Sequence, residues 1–102
     1  LRDGDAGTVR VVTAALITYD LNNPGQKYEQ VHKAIQNLTG AWCKVTESCW
    51  IVAGYGATAS AVWKAVEPFI DGSDRVLTLD ITADTRSGWL ANDQWDWLNK
   101  NV

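Results

Sequence analysis

Three aspartates are the residues best placed by type and spacing to do chemistry. Asp20 sits in Thr18-Tyr19-Asp20-Leu21 at the end of an apolar run, and Asp71 and Asp74 bracket a Gly-Ser pair much later in the chain. Paired carboxylates hold a hard divalent ion such as Mg²⁺, which activates water for phosphodiester cleavage. If the last strand runs antiparallel to the first, its beginning lies beside the first strand's end. Asp71 or Asp74 would then approach Asp20, and a two-fold dimer would bring two copies of Asp20 together. The plainer alternative is that Asp20 accepts backbone N–H bonds in the turn Asn22-Asn23-Pro24-Gly25, while Asp71 and Asp74 build a turn of their own. From spacing alone this alternative is the simpler.

The other reactive side chains read as structural. His32 is the single histidine, on the polar border of a helical stripe, where a surface or half-buried structural role outweighs catalysis. It lacks the neighbours of a nucleophile–base arrangement. Cys43 and Cys49 are not spaced as C-x-x-C and, with one histidine, cannot complete a four-ligand zinc site, so buried free thiols are the default. Gly54-Tyr55-Gly56 lacks the third glycine and the lysine of a phosphate-binding loop and reads as a strand exit. Glu47-Ser48 falls in a hairpin turn, which recruits such residues without any function. Asn37-Leu38-Thr39 fits a glycosylation sequon, a tripeptide that arises often by chance.

The 102 residues are 46% hydrophobic and 21% charged, with 9 Lys+Arg against 12 Asp+Glu and a net charge of −3. That length allows one domain with its own core, and the ten aromatics (six Trp, three Tyr, one Phe) argue against disorder. The scattered cations disfavour a broad nucleic-acid face, leaving only a small local patch in an oligomer. No apolar run approaches the length of a membrane span, and no signal-peptide pattern is visible, which points to the cytoplasm. Residues 1–8, with two glycines and two Asp, read as a flexible leader, and residues 9–102 as a single domain with a Trp-rich C-terminal tail.

The elements that must position these groups follow from periodicity. Residues 9–21 are apolar on both alternating faces, as in a central strand. Residues 27–38 carry Tyr28, Val31, Ile35 and Leu38 as one helical stripe, with Gly40 as the stop. Residues 41–46 and 48–55 form a hairpin. Thr58 caps a second helix over 59–66, which Pro68 closes. Residues 75–82 form the last strand, with Leu77, Leu79 and Ile81 on one face, and 92–99 a short helix or turn capped by Asn92 or Asp93. The order β-α-β-β-α-β is the ferredoxin-like arrangement: an α+β fold with a four-stranded antiparallel sheet and two helices on one face. The other face is then bare in a monomer. Six tryptophans are more than a two-helix core absorbs, so Trp42, Trp50, Trp89, Trp95 and Trp97 are expected at a symmetric homodimer interface, the tail reaching across to the partner.

The run from Leu16 to Tyr28, Leu-Ile-Thr-Tyr-Asp-Leu-Asn-Asn-Pro-Gly-Gln-Lys-Tyr, resembles the opening of the small bacterial proteins known as SinR-like. These are distant relatives of the small ferredoxin-fold CRISPR-associated protein of spacer acquisition. In both, the first strand ends in Tyr-Asp, as Tyr19-Asp20 does here, and the returning hairpin strand begins with Ser and bulky residues, as in Ser48-Cys49-Trp50-Ile51-Val52. Asp74-Arg75-Val76-Leu77 resembles the start of the fourth strand, and Gly88-Trp89-Leu90 the SinR-like tail. The resemblance implies a ferredoxin-like homodimer whose sheets face one another. It implies Asp20 as the metal ligand, one from each subunit, of a Mg²⁺-dependent endonuclease acting on RNA or DNA. In the CRISPR-associated relatives the dimer is also a scaffold for an integrase and DNA, and VapD-like ribonucleases share the fold. The expected function is therefore a dimeric CRISPR-associated-like nuclease of antiviral defence. The alternative is a non-catalytic dimeric module of a defence or toxin–antitoxin system with a protein partner, and a small-ligand sensor is a third reading.

Overall fold

A computed structural model of the chain describes residues 12–22, 26–39 and 41–102. The leader at 1–8, the opening of the expected first strand, the Asn23-Pro24-Gly25 part of the turn and the Gly40 stop lie outside the described residues.

Alternation and helical spacing produce β1 (Val12–Asp20), α1 (Gln26–Thr39), β2 (Ala41–Thr46), β3 (Cys49–Tyr55), α2 (Ala59–Val66), β4 (Arg75–Asp80) and α3 (Asn92–Asn101). The strands form one open antiparallel sheet in the order β2-β3-β1-β4, so the fold is α+β, with three α-helices among the described residues. No helix among the described residues is long and apolar enough to cross a membrane.

One sheet face builds the core. Ala15, Ile17 and Tyr19 of β1 and Trp50 and Val52 of β3 pack against Val31 and Ile35 of α1 and Val62 and Val66 of α2. Each large side chain so buried stabilises the fold by about 1.5–3 kcal/mol. The Thr58 hydroxyl accepts the Ala61 N–H (3.1 Å) and starts α2, and Pro68 lies in the 3-10 turn Glu67–Phe69 that ends it.

Several boundaries move for local reasons. The fourth strand stops at Asp80, because the Thr82 hydroxyl takes the Ala14 N–H (2.9 Å) that a continued ladder would use. The second hairpin strand starts at Cys49, with Glu47 and Ser48 in the turn and an irregular register between Lys44 and Thr46. Asn92 and Asp93 lie inside α3 rather than capping it, since Ala91 precedes the helix and its N–H is taken by Gln94 Oε1 at 3.0 Å.

Two expectations about the tryptophans are corrected. Trp50 pairs across the sheet with Ile17 and therefore faces the helices, where it is 2% exposed. It is a core residue and no interface residue. Nor is the opposite sheet face bare. Ala83, held in the left-handed region at φ 61°, turns the chain after β4. Residues 84–102 then return over that face of their own sheet, bringing Trp95 and the buried Leu98 to Leu16 and Ile51. Trp95 and Leu98 of the tail thus lie against their own chain's sheet, while Trp89 stays out in solvent.

Candidate functional site

Asp20 ends β1 on the face turned away from α1 and α2, exposed to solvent. It stands in cross-strand register with Arg75, as Thr18 does with Leu77 and Leu16 with Leu79. Thr18, Asp20, Arg75 and Leu77 border a shallow depression there. Arg75 turns its guanidinium to the carbonyls of Gly72 and Asp74 (3.2 and 2.8 Å).

Asp71 and Asp74 do not join Asp20. Lys27, at the start of α1, donates to Asp71 at 2.7 Å and to Asp74 at 2.8 Å. Asp74, 5% exposed, also accepts the backbone N–H groups of Asn22 (2.8 Å) and Asp71 (3.0 Å). Asp71 accepts the Ser73 N–H at 2.8 Å and its hydroxyl at 2.5 Å. The Lys27 hydrogen bonds, foremost among these contacts, hold both carboxyls below the usual carboxylate range and raise the Lys27 ammonium. These two aspartates are committed to an internal clamp, as the turn alternative anticipates, with Lys27 and Asn22 as additional partners.

Among the described residues no three His, Cys, Asp or Glu side chains gather into a metal-binding group. A hard divalent ion takes about six oxygen ligands, and Asp20 brings one carboxylate. Among the described residues, then, Asp20 offers a single carboxylate on this face, and a second would have to come from another copy of the chain.

The densest polar constellation lies elsewhere, under α1. The Tyr19 hydroxyl accepts the Trp50 indole N–H at 2.9 Å and lies 2.6 Å from His32 Nε2. Tyr28 and Trp42 complete the aromatic cluster, with ring centroids 5.8 Å from His32 and 5.2 Å from Trp50 respectively. Burial pushes the Tyr19 phenol up to about 12 and, with the Lys44 cation as a lesser cause, pushes the His32 imidazole down. His32 is half-buried against Tyr19 and Trp50, the burial its position on the stripe implies. Its tyrosine partner had a signal in the alternation that puts Tyr19 and Ile17 on one face, but the pairing itself needs the helix to cross that face.

The remaining candidates scatter. Cys43 is buried and Cys49 half-buried, and burial raises both thiols. Glu47 is exposed and pairs with Lys44 at 3.4 Å. Trp42, on the same side as Trp50, borders an open groove at the β2 edge together with Trp97. Trp95 walls the space beneath the sheet, and Trp89 is 99% exposed. Sequence reasoning missed Gln94, whose amide donates to the Lys44 and Val45 carbonyls (both 3.0 Å) and so covers the β2 edge. It also missed the exposure of Leu77 and Leu79, 55% and 46%, beside Asp20. No protein-family model and no curated protein matches the chain.

Proposed function

We propose that the chain is a SinR-like protein of the ferredoxin-like βαββαβ class, with α3 added after the fourth strand. It works as a non-catalytic homodimeric interaction module of a cytoplasmic defence or toxin–antitoxin system. The strand order, with α1 and α2 as the two crossovers, supports the class. The observation that carries the function is the β4 half of the outer sheet face, where Leu77 and Leu79 stand exposed side by side. An exposed apolar edge strand is a template for another chain. The β2 edge is covered by Gln94, which leaves β4 as the side for a partner. Asp20 and Arg75 at one end of the strip carry opposite charges, which a two-fold axis matches to themselves. Wild type is expected to sediment as a dimer at tens of micromolar, and Leu77→Arg combined with Leu79→Arg as a folded monomer. A wild-type monomer throughout that range overturns the reading.

One observation favours the nuclease as a second reading: Asp20 shares the exposed face with Leu77, so a two-fold axis close to Asp20 would set two of its carboxylates about one Mg²⁺. It expects cleavage of RNA or DNA with Mg²⁺ or Mn²⁺, abolished by Asp20→Asn in an intact dimer. A dimer that cleaves neither nucleic acid leaves the interaction module standing alone.

A further inference from the structure

Residues 84–90 place an unburied aromatic ring beside an unfilled apolar space. Trp89 is 99% exposed, although tryptophan is on average a highly buried residue. Every other residue from Asp84 to Leu90 lines a cavity of about 310 Å³ between the outer sheet face and α3, with Leu16 and Ile51 as its floor and Leu98 as its wall. Gly88 and Leu90 border the cavity while the residue between them does not, so the chain leaves its own cavity without its own Trp89. The volume is roughly twice that of a cavity of about 150 Å³ that accepts benzene, which suits a two-ring indole.

We infer that two copies of the chain exchange Trp89, each indole seating in the cavity of the other copy. The inference rests on the homodimer proposed above and names its anchor. Donor ring and acceptor cavity lie on one short segment, so a single two-fold axis satisfies both seats at once. The rim carries Asp84 and Arg86, opposite charges that such an axis sets against each other. The floor residue Leu16 pairs across the sheet with exposed Leu79, so the β4 strip begins one strand away from the cavity floor. Arg86 donates to the Leu98 carbonyl and to Asn99 Oδ1, both at 3.2 Å, and so fixes the segment against α3 before any partner arrives. Two buried indoles and the walls they cover remove on the order of 600–1,000 Å² from water. That is about half of a standard interface, with the β4 strip available for the rest.

The test uses the full chain. Trp89→Ala loses both seats and is expected to weaken the dimer on the order of 100-fold or more, because a truncated hot-spot tryptophan costs over tenfold at each seat. Leu16→Trp fills the cavity and weakens self-association likewise, with circular dichroism checking that it folds. Neither variant alone has a usable seat, whereas an equimolar mixture regains one and is expected to form more dimer than either. A benzophenone amino acid at position 89 gives a readout that needs no cavity substitution: photo-cross-links should join two chains through peptides containing Ile51 or Leu98. If Trp89→Ala dimerises as wild type does, or the cross-links stay within one chain while Leu77→Arg still breaks the dimer, the exchange is wrong and the homodimer survives. A monomeric wild type removes both.

Discussion

At the scale of single residues, Tyr19 has the most to explain. An indole N–H only donates, so the Tyr19 oxygen accepts from Trp50, while its own proton faces two acceptors, His32 Nε2 at 2.6 Å and the Glu47 carbonyl at 3.4 Å. Where His32 Nε2 takes that proton, the imidazole is neutral and carries its own proton on Nδ1. Both shifts agree with this arrangement, since burial favours the uncharged phenol and the uncharged imidazole. A folded phenol raised from 10.0 to about 12 contributes stability that is complete below pH 10 and is lost as pH climbs between those values. A folded imidazole lowered from 6.5 contributes stability that is complete above pH 6.5 and is lost as pH falls below it. Urea melts should therefore show a plateau bounded by two declines. Tyr19→Phe leaves the Trp50 N–H without its acceptor and is expected to cost about 1–3 kcal/mol at neutral pH. It should also lessen the alkaline decline, leaving the part due to the raised Lys27 ammonium and the raised Cys43 and Cys49 thiols. A slope above pH 10 unchanged from wild type would show that Tyr19 does not contribute there.

Between elements, the Lys27 clamp joins three pieces of chain that no local pattern connects: the exit of β1 through Asn22, the start of α1, and the turn before β4. Both carboxyls are lowered, so the contribution is present above their ordinary 3.8 and disappears as pH falls through the lower folded values. Asp74→Asn is expected to lower the melting temperature at pH 7 and to blunt its dependence on pH below 4, a window distinct from that of His32. Retention of the full acid dependence would place it on other carboxylates. The turn around Asp71 and Asp74 is legible in sequence because Asp, Gly and Ser supply its bonds locally, whereas the long-range partners are not. The same division runs through the fold. The strands and first two helices are legible because burial repeats at two and at three to four residues. Which face Trp50 takes is not, since alternation separates it from Ile51 without saying which of the two meets the helices. That is settled by register with Ile17, set by contacts distant in sequence. The path of residues 84–91 shows no period at all, and its destination depends on Gln94 finding carbonyls of β2.

For the whole molecule, the outer sheet face is divided. Over β2 and β3 the tail covers it from within the same chain, burying Leu98, Ile51 and Cys43, while over β4 it stays open at Leu77 and Leu79. The expected bare face is thus half closed by the tail of the same chain, and the β4 half stays open. Cys43 can report which chain does the closing, because α3 lies close enough for Asp93 to act on its thiol. In a Cys49→Ala background, diluted until the protein is monomeric, Cys43 should react slowly with a thiol reagent, since cover supplied by its own α3 does not depend on concentration. Leu98→Ala removes the buried anchor of that helix, at a cost of about 2–5 kcal/mol for a core leucine. It should therefore speed the labelling of Cys43 at every concentration, with the core under α1 and α2 still folded by near-ultraviolet circular dichroism of Trp50. Protection of Cys43 that instead fades on dilution of the wild-type tail would mean that the cover comes from a partner, and the tail would have to be assigned to the other subunit.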